Sequence, residues 1–292
     1  MLKKLKMYVG IATLVTLALS APGQSWVTNG LVSYYPFDGN ANDAIGTNSG
    51  IVQGATLSTN RFGRPNSAYF FNGASYIDLG APSNLAFTNN FTLSAWCLFN
   101  GGSCCNPRII SYGQDAGYEL ITTGTGATRQ FAYNGGSTTI FGTGITFNQN
   151  TWYAVAVVVS NLNATIYVNS IALVSHPITA LSFPHNLQIG TKSEAGTDDW
   201  GGLIDDVRFY NRVLSPSEIS QLYTLETSPP LIGISTYSNS PVVFYPTVPG
   251  LSYGLQMTTN LSSPTWSPVT NAVPFTALGI TNAPSNAFFR LN

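Results

Sequence analysis

The sequence predicts an all-β protein of two units, a larger one followed by a smaller C-terminal β unit, on three observations. Of its 292 residues 44% are hydrophobic and only 8% charged, with 28 Gly and 17 Pro, which suits many short strands joined by turns. Short apolar or alternating segments recur between clusters of Gly, Asn and Pro along most of the chain. A proline pair in Ser228-Pro229-Pro230 then marks a boundary, because it forms a stiff extended spacer and cannot continue a helix.

Residues 1–23 combine a lysine-bearing start, an apolar run from Met7 to Leu19, and small residues at Ser20, Ala21 and Gly23, the pattern of a secretory signal peptide. With Lys3, Lys4 and Lys6 in that leader, the remainder keeps 8 of the 11 basic side chains against 12 acidic ones, a net charge of about −4. A basic footprint for nucleic acid is therefore absent. The expected location is secreted, extracellular or at the cell surface. There Cys97 pairs with Cys104 or Cys105, or the last two form a vicinal bridge, and three cysteines are too few for a cysteine zinc site.

Leu31 to Phe37 reads as the first strand, and Asp38, Asn40 and Asn42 follow at alternate positions with Asp43 next. Oxygen-bearing residues so spaced suit a hard cation or, equally, a solvated turn. Two short strands flank Asn72-Gly73, which reads as a hairpin turn. Phe91 to Phe99 alternates with both faces fairly apolar, and Arg108 to Tyr112, Tyr118 to Thr122 and Phe131 to Tyr133 are further strands. The tip between the first two of these carries Gln114 and Asp115 beside Tyr112 and Tyr118, rings and hydrogen-bonding groups of the kind a sugar needs. Trp152 to Ser160 is a buried strand, and Ala164 to Val174 a hairpin on Asn169-Ser170. His176 and His185 lie beside prolines in loops, and Asp198, Asp199 and Trp200 form a second candidate for sugar or metal.

In Gly201 to Leu225, strict alternation places Leu203, Asp205, Val207 and Phe209 on one strand face and Ile204, Asp206, Arg208 and Tyr210 on the other. A carboxylate on an apolar face needs a cation or several N–H donors. Ser215, Pro216 and Glu218 then spell a capping box with proline at the first helical position, opening a helix with Ile219, Leu222 and Tyr223 on one side.

This stretch resembles the C-terminal signature of LamG-like domains of secreted bacterial proteins, a Gly-x-Ile-Asp-Asp/Glu-Val-Arg strand before a Leu-Ser-x-x-Glu-Ile helix. Phe37 to Asp43 is similar to the family's early loop, although Ala44, Ile45 and Gly46 depart from its usual Asp-x-Ser-Gly continuation. The resemblance implies a concanavalin A-like jelly roll over 24–227, with its first and last strands adjacent and a small C-terminal module, of fibronectin-like or docking type, over 228–292. It also implies a structural calcium held between Asp38, Asn40, Asn42, Asp43 and Asp205, as in related β-glucanases. The function it implies is non-catalytic binding of a glycan or a cell-surface polysaccharide or protein, or else a structural role in an envelope assembly. A glucanase would need paired carboxylates along one strand, and Glu119, Glu194, Glu218 and Glu226 are not so spaced.

Overall fold

The computed structural model describes residues 25–102, 106–113, 115–136, 140–192 and 198–227, together with six strand segments between 233 and 291. The leader, Cys104, Cys105, Gln114 and the proline pair lie outside the described residues.

The strands of the larger unit are β1 (Leu31–Tyr35), β2 (Ile51–Gln53), β3 (Thr56–Ser58), β4 (Ala68–Asn72), β5 (Tyr76–Asp78), β6 (Phe91–Gly102), β7 (Arg108–Tyr112) and β8 (Tyr118–Thr123). They continue with β9 (Gln130–Gly135), β10 (Phe141–Thr146), β11 (Trp152–Ser160), β12 (Asn163–Val168), β13 (Ile171–Pro177), β14 (Leu187–Ile189) and β15 (Trp200–Tyr210). Two helices, α1 (Ser25–Thr28) and α2 (Pro216–Thr227), flank them. One antiparallel sheet runs β13-β12-β11-β6-β15-β4-β3, with β1 also paired to β15, and the other runs β10-β9-β8-β7-β14-β5-β2. The inner faces of the two sheets interdigitate around Phe71, Phe91, Leu93, Leu120, Val157, Ile189 and Phe209, so this is an all-β sandwich whose first and last strands are neighbours. Between 233 and 291 the segments form two three-stranded antiparallel sheets. Among the described residues no helix is long and apolar enough to cross a membrane.

Several local expectations hold for the stated reasons. Asn169 and Ser170 both adopt positive φ, as a two-residue hairpin turn requires. The capping box at α2 is complete: the Glu218 N–H donates to Ser215 Oγ at 3.2 Å and the Ser215 N–H to Glu218 Oε2 at 2.8 Å. Ile219 and Leu222 then bury against Tyr34, Val158, Tyr167 and Tyr210 on the outer face of the first sheet.

Two expectations are corrected. Asn72-Gly73 does not close a hairpin: β4 pairs with β15 and β3, whereas β5 pairs with β14 and β2, so the turn carries the chain from one sheet to the other. Alternation along β15 breaks at Asp206, which takes a left-handed φ of 49° where the pairing with β6 slips between Asp205 and Arg208. The bulge leaves Ile204, Val207 and Phe209 in the core and turns Asp205, Asp206 and Arg208 toward Arg61, Tyr34 and Glu226. Cys97 is a buried free thiol on β6, the alternative in which it stays unpaired, and burial pushes its pKa up.

Candidate functional site

Directly opposed residues on neighbouring strands share a face. Asn134 opposes Glu119, Glu119 opposes Ser111, Ser111 opposes Gln188, and Gln188 opposes Asp78. A single polar row thus crosses β9, β8, β7, β14 and β5 on the outer face of the second sheet, spanning about 19 Å at the usual strand spacing. Ser111 Oγ donates to Glu119 Oε1 at 2.6 Å, Asn134 Nδ2 to Glu119 Oε2 at 2.9 Å, and Asn186 Nδ2 to Asp78 Oδ1 at 3.1 Å. Two buried acceptors of the row, Asn134 Oδ1 and Gln188 Oε1, have no partner among the described residues.

Arg108, buried at the start of β7, gathers this end of the row. Its Nε meets Glu119 Oε1 at 3.4 Å, its Nη1 meets Asn106 O and Asp198 Oδ2, each at 2.7 Å, and its Nη2 meets Asp115 Oδ1 at 3.1 Å and Glu119 Oε2 at 3.3 Å. These contacts use all five guanidinium N–H groups. Asp115 stands at the rim with its side chain 52% exposed, takes Lys192 Nζ at 3.1 Å and accepts Asn134 Nδ2 at 3.2 Å. Desolvation acts upward on the Asp115 carboxyl, but Lys192 and then Arg108 outweigh it and hold the group below its ordinary value.

The two candidate loops of the sequence therefore meet, since Asp115 and Asp198 share one guanidinium. Their aromatic members do not join them. Tyr112 and Tyr118 turn into the core, donating to the carbonyls of Pro82 and Leu85, and Tyr112 packs edge-to-face on Tyr118. Trp200 is likewise buried, edge-on to Phe99 at 5.0 Å, so none of these three rings presents a face to a sugar. Asp199 is buried and accepts the Thr191 hydroxyl, and burial raises its pKa. Arg108, Asn134, Gln188 and Lys192 were missed. With 11 basic residues in 292, a lone arginine opening an apolar strand was the available signal for a buried ion-pair centre.

The residues expected to hold calcium each meet protein groups. Asp43 Oδ1 accepts the N–H groups of Tyr34, Ile45 and Gly46 at 2.9–3.1 Å, and its Oδ2 accepts Asn48 N–H at 3.1 Å. Asn40 Oδ1 accepts the N–H of exposed Asn42, and Asp38 pairs with Arg64 at 3.4 Å. Asp205 pairs with Arg61 at 2.9 Å, so a divalent ion there has to displace a guanidinium, and this donor set does not fit one. Among the described residues no group of three or more His, Cys, Asp or Glu side chains is disposed to hold a metal.

Burial is the largest influence on Asp43 and acts upward, but the Gly46 N–H, the Ser33 hydroxyl and the Tyr34 and Ile45 N–H groups together hold its carboxyl below the ordinary range. A depressed folded-state pKa contributes stability above the unfolded value near 4 that is lost as pH falls through the folded value. Asp43→Asn is accordingly expected to lower stability by at most about 1 kcal/mol at pH 7, since solvent screens this half-buried group, with the gap to wild type closing below about pH 4. Thermal unfolding between pH 7 and 3 checks this, and a gap constant with pH would refute it.

A family model described as the concanavalin A-like lectin/glucanases superfamily, of laminin G type, matches residues 71–220. The chain belongs to this superfamily. Among solved structures, this superfamily member is similar to domain 4 of AbnA, a GH43 extracellular arabinanase from Geobacillus stearothermophilus determined in complex with arabinotriose. The identity is 20% and the TM-score 0.54, over 66% of this chain and 98% of that one. It is also similar to Trypanosoma rangeli sialidase, at 19% identity and TM-score 0.54 over 68% of this chain but 33% of the sialidase. A third similar structure is the binding domain of botulinum neurotoxin serotype D, at 14% identity and TM-score 0.54 over 83% and 70% of the two chains. At these identities the likenesses establish the shared fold. No curated protein matches the sequence.

Proposed function

We propose that the protein is an exported, non-catalytic module that binds a neutral oligosaccharide where the polar row of the second sheet reaches solvent beside Asp115. The observation that carries this reading is the pairing of an exposed carboxylate with the buried, unpartnered Asn134 Oδ1 behind it. An unsatisfied buried acceptor costs about 1–3 kcal/mol, and a sugar hydroxyl is a donor that relieves it. With the guanidinium of Arg108 fully committed and Lys192 paired to Asp115, this part of the rim offers mainly carboxylates and amides, which suit hydroxyl groups better than the carboxylate of an acidic sugar. The arabinotriose complex of AbnA domain 4 supports a short neutral oligosaccharide as the first probe.

A hydrolase reading rests on one observation: Asp115 and Glu119 share both Asn134 Nδ2 and Arg108 Nη2, bringing two carboxylates together. Against it, Glu119 is buried and both its oxygens accept from Arg108, Ser111 or Asn134, which leaves it poorly placed to protonate a leaving group. The test is titration calorimetry with arabinotriose and with an uronate oligosaccharide of equal length, on wild type and Asp115→Ala. Tighter binding of the neutral sugar, weakened about tenfold by Asp115→Ala, is expected, consistent with the loss of one charge-assisted hydrogen bond. Binding indifferent to the substitution would move the site elsewhere, and release of reducing sugar would overturn the non-catalytic claim.

A further inference from the structure

We propose that Arg61 serves as the internal cation of this domain, in the position the sequence suggests for calcium, so that the fold and the end of α2 hold together in calcium-free surroundings. The left-handed bulge at Asp206 makes this possible, because it turns two successive carboxylates to the same side. One guanidinium then forks onto both: Arg61 Nη1 meets Asp205 Oδ2 at 2.9 Å and Nη2 meets Asp206 Oδ2 at 2.8 Å. Its Nε donates to the Glu226 carbonyl in the last turn of α2 at 2.9 Å, satisfying an acceptor that the helix itself leaves open.

The surroundings suit a planar organic cation and not a metal. The Arg61 guanidinium lies 4.4 Å from the Trp96 ring and 4.6 Å from the Phe62 ring, two walls that favour a delocalised cation and supply no oxygen. Calcium takes six to eight oxygen ligands, whereas the groups on Arg61 are two carboxylates and one carbonyl. The neighbouring charged groups also meet one another, although Arg208 Nε and Nη2 make no hydrogen bond among the described residues. Asp206 also accepts the Tyr34 hydroxyl and faces Arg208 Nη2 at 3.6 Å, and Glu226 pairs with Arg208 while accepting Trp96 Nε1 at 2.7 Å. Arg61 therefore links the β3–β4 connection, the last strand and the end of α2 through a single side chain.

The decisive experiment is thermal unfolding of the full chain, with hydrogen exchange of α2, in calcium and in excess chelator, for wild type, Arg61→Ala and Arg61→Lys. Wild type is expected to keep one midpoint in both buffers. Arg61→Ala should lose roughly 10 °C and the protection of the last turn of α2, and Arg61→Lys, charged but unable to fork, should fall between. A wild-type midpoint that drops in chelator would overturn the proposal, because an ion bound only to the folded state must stabilise it. A midpoint and α2 protection unchanged in Arg61→Ala would overturn it equally. If Arg61→Ala does not fold, the wild-type pair of curves and Arg61→Lys still decide.

Discussion

Arg108→Met is expected to lower stability by about 3–5 kcal/mol, on the order of 10 °C in the thermal midpoint of a sandwich this size. The substitution keeps much of the side-chain volume and removes the charge that Glu119, Asp115 and Asp198 share. Asp115 can turn to solvent or keep Lys192, but Glu119 is fully buried and retains only the Ser111 hydroxyl and the Asn134 amide. An uncompensated buried carboxylate is the main part of the cost. The double variant Arg108→Met/Glu119→Leu should therefore recover a large share of the loss, giving a coupling energy of at least 1 kcal/mol by the order of magnitude usual within one ionic network. Denaturant unfolding of the four species closes that cycle. Strict additivity would show that Glu119 does not depend on Arg108 for its charge balance.

Gly202→Ala is expected to be comparably severe for a different reason. Gly202 has a φ of 136°, and a Cβ placed there lies 2.0 Å from the carbonyl oxygen of Leu98 and 3.1 Å from Asn100 N. Those are backbone atoms of β6, the strand with which β15 has its most extensive pairing, and they cannot rotate aside. Close backbone approach and an unfavourable φ together should cost about 3 kcal/mol or more. Gly80→Ala separates the two effects, because Gly80 has a φ of 69° but nothing within 4 Å of its would-be Cβ. Conformational strain alone should cost roughly 1 kcal/mol there. Equal losses at the two positions, measured by denaturant midpoints, would mean that the approach of the strands contributes nothing.

Much of the larger unit was legible because its signals are local. The limits of β11, the two-residue turn at Asn169 and Ser170 and the capping box at Ser215 are settled by neighbouring residues, and the structure carries all three. What alternation missed is non-local. Whether Asn72-Gly73 closes a hairpin or changes sheets depends on partners more than a hundred residues away, β15 for one strand and β14 for the other. The face of Asp205 turns on a bulge, and Asp206 is stable at positive φ because Tyr34, Arg61 and Arg208 surround its carboxylate. The site divides in the same way. Asp115 and Asp198 could be picked out as loop-tip carboxylates, but the guanidinium that joins them stands at the head of an apolar strand. Tyr112 and Tyr118 look alike from sequence whichever way their strand faces, and pairing registers across five strands decide that they point inward.

Within the sandwich, β1 lies beside β15 and α2 rests on the outer face of that same first sheet, while the polar row lies on the outer face of the second. Both ends of the described sandwich thus belong to one broad side, and the Asp115 rim lies at the other sheet. A module wired in this way can be spliced into a longer polypeptide with both junctions at its back.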